Sequence, residues 1–179
     1  MSGALPTTRT VRTGRRSGLT ADALIRTALL AELAAPSLDR VVWVVSAWIS
    51  DIDLLDNSDG AFDYLLGDDP RERCRLSDLL LLIAAAGTPV HIVTRPEPSN
   101  QDFLARLRVG SSYPADVNVV CDPRVHEKTL CGSDWMLSGS MNFTRSGLTA
   151  SKEQITYTTD IAQVAQAVQE LEDEWVSRP

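Results

Sequence analysis

The run V-V-W-V-V-S-A-W at 41–48 is the feature that most narrows what this chain can fold into. It carries no charge and is built from β-branched and aromatic residues, the composition of a buried strand. Such a strand needs cover, and its neighbours read as helices and further strands. A helix is expected from Thr20 or Asp22 to Ala34, with Ile25, Ala28, Leu29 and Leu33 on one stripe and Pro36 as its stop. A largely buried helix follows at 76–86, closed by Gly87, and then a strand at 90–94. Ser99 or Asn100 starts a short helix to Arg108 that turns Phe103, Leu104 and Leu107 inward. A third strand is expected at 117–121, and a hairpin of 127–130 with 135–138 across Gly132-Ser133-Asp134. Residues 143–147 read as a turn or short helical segment, and 155–159 as another strand. Asp160 with Gln163 resembles a capping box for a last helix to about Val176, with Ile161, Val164, Val168, Leu171 and Trp175 buried. Strands alternating with helices imply an α/β sandwich.

A chain of 179 residues is most simply one domain, expected here at 19–179. Residues 1–18, with arginines at 9, 12, 15 and 16 and no hydrophobic period, read as a flexible basic arm. Hydrophobic content of 44% and charge of 23% are ordinary for a soluble protein. The net charge of -7 argues against indiscriminate binding of nucleic acid and leaves room for a local basic cleft. Cys74, Cys121 and Cys131 show no C-x-x-C pairing, which suits a reducing cytosol, and two histidines without clustered ligands make a zinc site improbable. The apolar runs near 41–49 and 79–86 are about half the length of a membrane span, and no secretory pattern follows the first arginines. A cytoplasmic protein without metal or cofactor is expected. The aspartates at 51, 53, 56, 59, 63, 68 and 69 do not meet the calcium-loop pattern and read as a solvated insertion or a partner-contact loop. His91, inside a strand, is most simply a core or interface histidine.

The chemistry concentrates at 125–142, V-H-E-K-T-L-C-G-S-D-W-M-L-S-G-S-M-N. His126 and Lys128 are two apart and share a face on a strand, as do Ser140 and Asn142. Gly139 permits close backbone approach. An imidazole, an ammonium, a hydroxyl and a carboxamide can thus converge on one small anion. Arg95 and Arg145 lie where they could reach it. Ser46 and Trp48 end the 41–48 strand, where they either line a cleft or, for the tryptophan, pack in the core.

This spacing resembles the phospholipase D superfamily signature H-x-K-x4-D-x6-G-S-x-N. His126, Lys128, Gly139, Ser140 and Asn142 fall on its positions, and S-M-N-F-T at 140–144 is similar to the ending found in the superfamily's bacterial nuclease branch. The signature aspartate would fall at Ser133, whereas the acid here is Asp134. The interval to Gly139 is one residue short, so the hairpin between is trimmed. The run S-A-W-I-S-D-I-D-L-L-D-N at 46–57 also resembles small phospholipase D-like proteins of bacterial anti-phage islands, the DpdK type found beside 7-deazaguanine DNA-modification genes.

The resemblance implies an α/β/α sandwich with a mixed sheet and a metal-independent phosphodiesterase, most readily a nuclease in phage defence or DNA modification. It implies His126 as the nucleophile that forms a phosphohistidine, with Glu153 orienting its ring. Lys128 and Asn142 would stabilise phosphoryl charge, with Ser140, Gly139, Arg145 and Ser46 binding substrate. The single motif copy implies a homodimer with a composite site, in which the partner's histidine protonates the leaving oxygen. DNA or another phosphodiester is the expected substrate, defence-complex proteins are possible partners, and no membrane is involved. Two other readings stay open: a non-catalytic nucleic-acid-binding or scaffold subunit, and phospholipase-type phosphatidyl transfer.

Overall fold

Val42–Ser46 is buried along its whole length, as an interior strand of a seven-stranded mixed sheet in the computed structural model, which describes residues 7–12, 20–37, 39–108, 113–149 and 153–176. Along the chain come β1 (Thr8–Arg12), α1 (Ala21–Ala34), β2 (Val42–Ser46), β3 (Asp53–Asp56), α2 (Asp63–Leu66), β4 (Arg73–Arg75) and α3 (Leu76–Ala85). There follow β5 (Val90–Thr94), α4 (Gln101–Arg106), β6 (Val117–Cys121), β7 (Lys128–Cys131), β8 (Met136–Gly139), α5 (Arg145–Thr149), β9 (Gln154–Thr158) and α6 (Ile161–Trp175). The sheet order is β1-β9-β8-β7-β2-β5-β6. β2, β5 and β6 are parallel, joined through helices, while β7, β8, β9 and β1 continue antiparallel.

The two faces of β2 separate two cores. Val42 and Val44 join α1, α3 and α4 in the larger one, with Ile25, Leu29, Leu79, Leu80, Ile83 and Phe103 fully enclosed. Trp43 and Val45 point the other way, onto α6, where Val93, Val125, Cys131 and Leu171 form a smaller cluster. Each enclosed aliphatic side chain contributes about 1.5–3 kcal/mol relative to exposure. The α1 stripe is buried as its spacing predicts. Asp160 caps α6, accepting from the backbone N–H groups of Ala162 and Gln163 at 3.0 and 3.1 Å. Ile161 departs from its predicted stripe: it is the first residue past the cap and lies 72% exposed.

Two further departures concern polar segments. Thr8–Arg12, placed by sequence in a flexible arm, is an edge strand antiparallel to β9. Backbone pairing, the buried Val11 and cross-strand threonine pairs hold it, with hydroxyls 3.1 Å apart at Thr8–Thr158 and 3.2 Å at Thr10–Thr156. The remainder of 1–18, apart from Thr7, lies outside the described residues. The acidic 51–69 stretch contains β3 and α2; β3 pairs with β4 in a separate two-stranded sheet. Three of its aspartates act locally: Asp63 accepts from Asn57 at 2.8 Å, and Asp56 and Asp59 cap turns at Ser58 and Ala61.

His91 stacks on Trp43 with ring centroids 4.4 Å apart and accepts at Nδ1 from the Asn118 amide at 3.4 Å. That bond needs the neutral ring, and burial pushes the imidazole below its ordinary value. Below the unfolded value near 6.5 the unfolded chain therefore binds more protons than the folded one. Stability is expected to fall as pH drops from about 6.5 through the lowered His91 value, and His91→Gln should flatten that part of a stability-against-pH profile measured by urea unfolding. An unchanged slope in the variant would assign the acid sensitivity elsewhere.

Candidate active site

The strand directions bring the chemistry-bearing residues of 125–142 to one end of the sheet. β2 and β5 end there, at Ser46 and Thr94; β7 begins there at Lys128, β8 returns there at Gly139, and β9 starts there at Gln154. Sites in open α/β sheets form beyond the carboxyl ends of the parallel strands for this reason. Ser46 is the register partner of Lys128 across β2 and β7. Its buried hydroxyl lies 3.2 Å from Asn142 Oδ1 and 3.0 Å from the Trp48 carbonyl. With Oδ1 accepting from Ser46, the Asn142 amino group is the end that can donate to a phosphoryl oxygen.

His126 precedes β7 on an exposed irregular segment, and Lys128 Nζ lies 3.3 Å from its Nδ1 and also contacts its carbonyl. Desolvation, with the charge of Arg95 next, pushes the Lys128 ammonium below its ordinary value, while Glu153 pulls it up. Two cations and a carboxylate therefore share one electrostatic neighbourhood, and an anion bound between the cations would relieve their repulsion. Ser140 donates to Glu153 Oε2 at 2.5 Å and accepts from the Gln154 N–H at 3.1 Å, which fixes the β8–β9 edge of the site. Glu153, to which the resemblance gives the imidazole-orienting role, accepts from Ser140 at this edge.

Gly139 serves as the sequence predicts. A Cβ there would lie 2.1 Å from the Gln154 carbonyl oxygen, so any side chain must push β9 off β8. Gly139→Ala is expected to cost about 1–3 kcal/mol by overpacking, and to lower activity further because Ser140 and Glu153 move with the strands. Denaturation with a parallel turnover assay checks it; wild-type values in both would show that the pairing is soft.

The site's outer wall comes from the strand ends. Trp48 is 36% exposed, which settles its position at the surface, and the Arg95 guanidinium lies 5.2 Å from its ring centroid. Arg95 Nε donates to the Val125 carbonyl at 2.6 Å, tying the end of β5 to the residue before His126. The loops are fixed from beneath by Asn100, which is wholly buried. Its Oδ1 accepts from Ile49 N–H at 2.9 Å, and its Nδ2 lies within 2.8–3.0 Å of Ala47 O, Thr94 Oγ1 and Arg95 O. Sequence suggested Asn100 as a helix starter; instead its backbone is helical and its side chain makes no cap. A lone Asn before a helix reads as a cap, and nothing local shows that its amide is needed by loops fifty residues away.

Asp134 falls outside this cluster, and Arg145 lines a cleft of its own. Arg145 opens α5 and faces Asp53 across a neighbouring cleft, 4.0 Å from its carboxylate. Asp134 sits in the β7–β8 turn at the far end of the sheet, where it pairs with Arg40 at 2.9 Å. Among the described residues no group of three or more His, Cys, Asp or Glu could hold a metal ion, and no helix is long and apolar enough to cross a membrane.

No protein-family model and no curated protein sequence matches the chain. Solved structures do. NucT from Helicobacter pylori aligns over 94% of both chains with a TM-score of 0.59 at 11% identity. Nuc from Salmonella typhimurium, a phospholipase D family member, aligns over 95% of this chain and 94% of its own with a TM-score of 0.55 at 16% identity. Polyphosphate kinase from Porphyromonas gingivalis aligns over 96% of this chain but 27% of its own, with a TM-score of 0.61 at 11% identity. The large mixed sheet between helices is thus a phospholipase D-like fold.

Proposed function

We propose that the protein is a metal-independent phosphodiesterase acting on nucleic acid. The observation that carries this reading is the convergence of His126, Lys128, Ser46 and Asn142 at the strand ends, with Arg95 and Glu153 within electrostatic reach of Lys128. Their chemistry matches what phosphoryl transfer needs: a nucleophilic imidazole, fixed donors for the equatorial oxygens, and cations to offset developing charge. In the proposed reaction an imidazole nitrogen of His126 attacks phosphorus and the P–O bond to the leaving group breaks, giving a phosphohistidine. The leaving oxygen takes its proton from His126 of a second, two-fold related copy. That partner imidazole, now neutral, accepts a proton from water as the water attacks phosphorus and releases His126. Nucleic acid is favoured over lipid because Trp48, at the surface beside Arg95, offers a stacking face next to the phosphate position. The resemblance to the bacterial nuclease branch supports the same choice, and the anti-phage likeness at 46–57 supports a role in phage defence.

A second reading is a non-catalytic subunit of a defence complex. It draws on the β3–α2–β4 excursion, which carries the acidic residues and leaves Tyr64 81% exposed. Incubating the purified protein with single- and double-stranded DNA in EDTA separates the two. Cleavage that persists in EDTA, with an acid-labile phosphoenzyme trapped at early times, is the expected result. Tight binding without cleavage on any strand would favour the subunit.

A further inference from the structure

Beside the His126 cluster lies a second cleft of about 640 Å³ into which three arginines from three separate elements project: Arg75 from the end of β4, Arg106 from α4 and Arg145 from α5. Asp51 and Asp53 hold them there. Asp51 is buried; its Oδ1 accepts from the Ser77 N–H at 3.0 Å, and its Oδ2 lies 3.2 Å from Arg106 Nε and 3.9 Å from Arg75 Nη1. Asp53 takes Arg75 Nε at 3.2 Å and faces Arg145 Nη2 at 4.0 Å.

We propose that this cleft is a second anion subsite, which takes a backbone phosphate of the same nucleic-acid strand whose scissile phosphodiester lies at His126. The proposal rests on the phosphodiesterase reading for the identity of that strand. Each guanidinium presents N–H donors in a planar fork, and three of them line this one cleft. The planar fork matches two phosphate oxygens at once, which is why arginine rather than lysine suits such a place. Asp102 also lines the cleft, so three carboxylates stand near three guanidiniums. Attraction here therefore comes from the guanidinium donors that line the cleft more than from net field, with the buried Asp51 as the nearby counter-charge of Arg106 and Arg75.

Continuity with the first site comes from two short tethers. Arg145 follows Asn142 by three residues, a reach of at most about 10 Å, within the next few phosphates of a strand. Ser50, which lines the cleft, follows Ser46 by four residues and donates its N–H to the Phe143 carbonyl at 2.8 Å, so the segments carrying both subsites are bonded to each other. A strand crossing from His126 past Asn142 meets the arginines next.

The test measures binding in the His126→Ala chain, where cleavage cannot blur it, using a fluorescent single-stranded DNA 12-mer and anisotropy across a salt series. Arg145→Ala is the first variant, since Arg145 is 67% exposed and its loss leaves Asp51 its partners. Arg106→Lys is the second, because it keeps the charge beside Asp51 but removes the fork. Arg145→Ala is expected to weaken binding about 5–20-fold at low salt and to lower the slope of log affinity against log salt by about 0.7. Arg106→Lys should weaken binding while leaving the slope unchanged, the mark of lost geometry rather than lost charge. Wild-type affinity and slope in both variants would overturn the subsite. If the protein cuts no phosphodiester yet shows this arginine dependence, the phosphodiesterase reading falls and the subsite stands. If it cuts DNA but ignores the arginines, the reverse holds.

Discussion

His126→Ala is expected to lower phosphodiester turnover by roughly 10⁴-fold or more, the scale of loss when a covalent nucleophile is removed. The variant should fold normally, because His126 is exposed and its ring lies against the Lys128 ammonium, not in the core. It should also keep its affinity for oligonucleotide, since Lys128, Asn142 and Arg95 remain. Lys128→Ala is expected to lose less, about 10²–10³-fold, as the removal of one charge-stabilising donor does. Steady-state turnover beside anisotropy on the same preparations distinguishes these effects. Cleavage by His126→Ala at more than about one per cent of wild type would exclude it as nucleophile. A Lys128 loss equal to the His126 loss would instead point to the two side chains acting as a single hydrogen-bonded unit.

The largest expected change in stability comes from the opposite end of the sheet. Glu32 is fully buried on α1, and Arg40 meets it with two guanidinium nitrogens, Nε at 2.8 Å and Nη2 at 2.7 Å. Trp135 Nε1 donates to the same carboxylate at 2.7 Å, and Arg40 continues to Asp134. The Glu32 pairing holds the Arg40 guanidinium further above its ordinary value. Gly132 completes the arrangement, because a Cβ there would lie 2.0 Å from Glu32 Oε1. Arg40→Ala leaves a buried carboxylate with one neutral donor and should cost about 3 kcal/mol, near the lower end of the range for half-broken buried pairs because Arg40 is partly exposed. For a chain of this size that lowers the melting temperature by roughly 6–12 °C. Replacing both partners, Glu32→Met with Arg40→Met, should recover most of the loss, since no charge is then left buried. Calorimetry on the three chains checks both statements; a double variant as unstable as Arg40→Ala would mean that packing, not charge, sets the cost.

This network shows what Ser133 and Asp134 do in the β7–β8 turn. Ser133 Oγ accepts from the Val41 N–H at 3.0 Å while Asp134 reaches Arg40, so the trimmed hairpin closes on the segment leading into β2 rather than on the site. That His126, Lys128, Gly139, Ser140 and Asn142 lie at one sheet end was legible in the sequence, because each sits on or beside β7 or β8, strands whose apolar residues mark them. The ion-pair neighbour of Arg145 was not legible, since six residues past the end of β8 the chain has turned into α5 and the guanidinium faces Asp53, more than ninety residues earlier. β3 was hidden by its aspartates, which mark turns and salt bridges but also flank the buried pair Leu54 and Leu55. β1 was hidden because it buries a single residue and is held by backbone pairing, a force that composition does not display.

The unequal cores described for the two faces of β2 have a dynamic consequence. α6 buries only Val164 and Leu171 fully among its fifteen residues, whereas α3 buries six of ten. Amide protons of α6 should therefore exchange through a low-energy local opening, well before those of α3 and β2, which report global unfolding. The His126 end is braced from the α4 side through Asn100, so that opening would leave its loops anchored. Warming the protein should release the outer helix first while the chemistry continues, and the loss of activity should follow the later, cooperative melting of the inner layer.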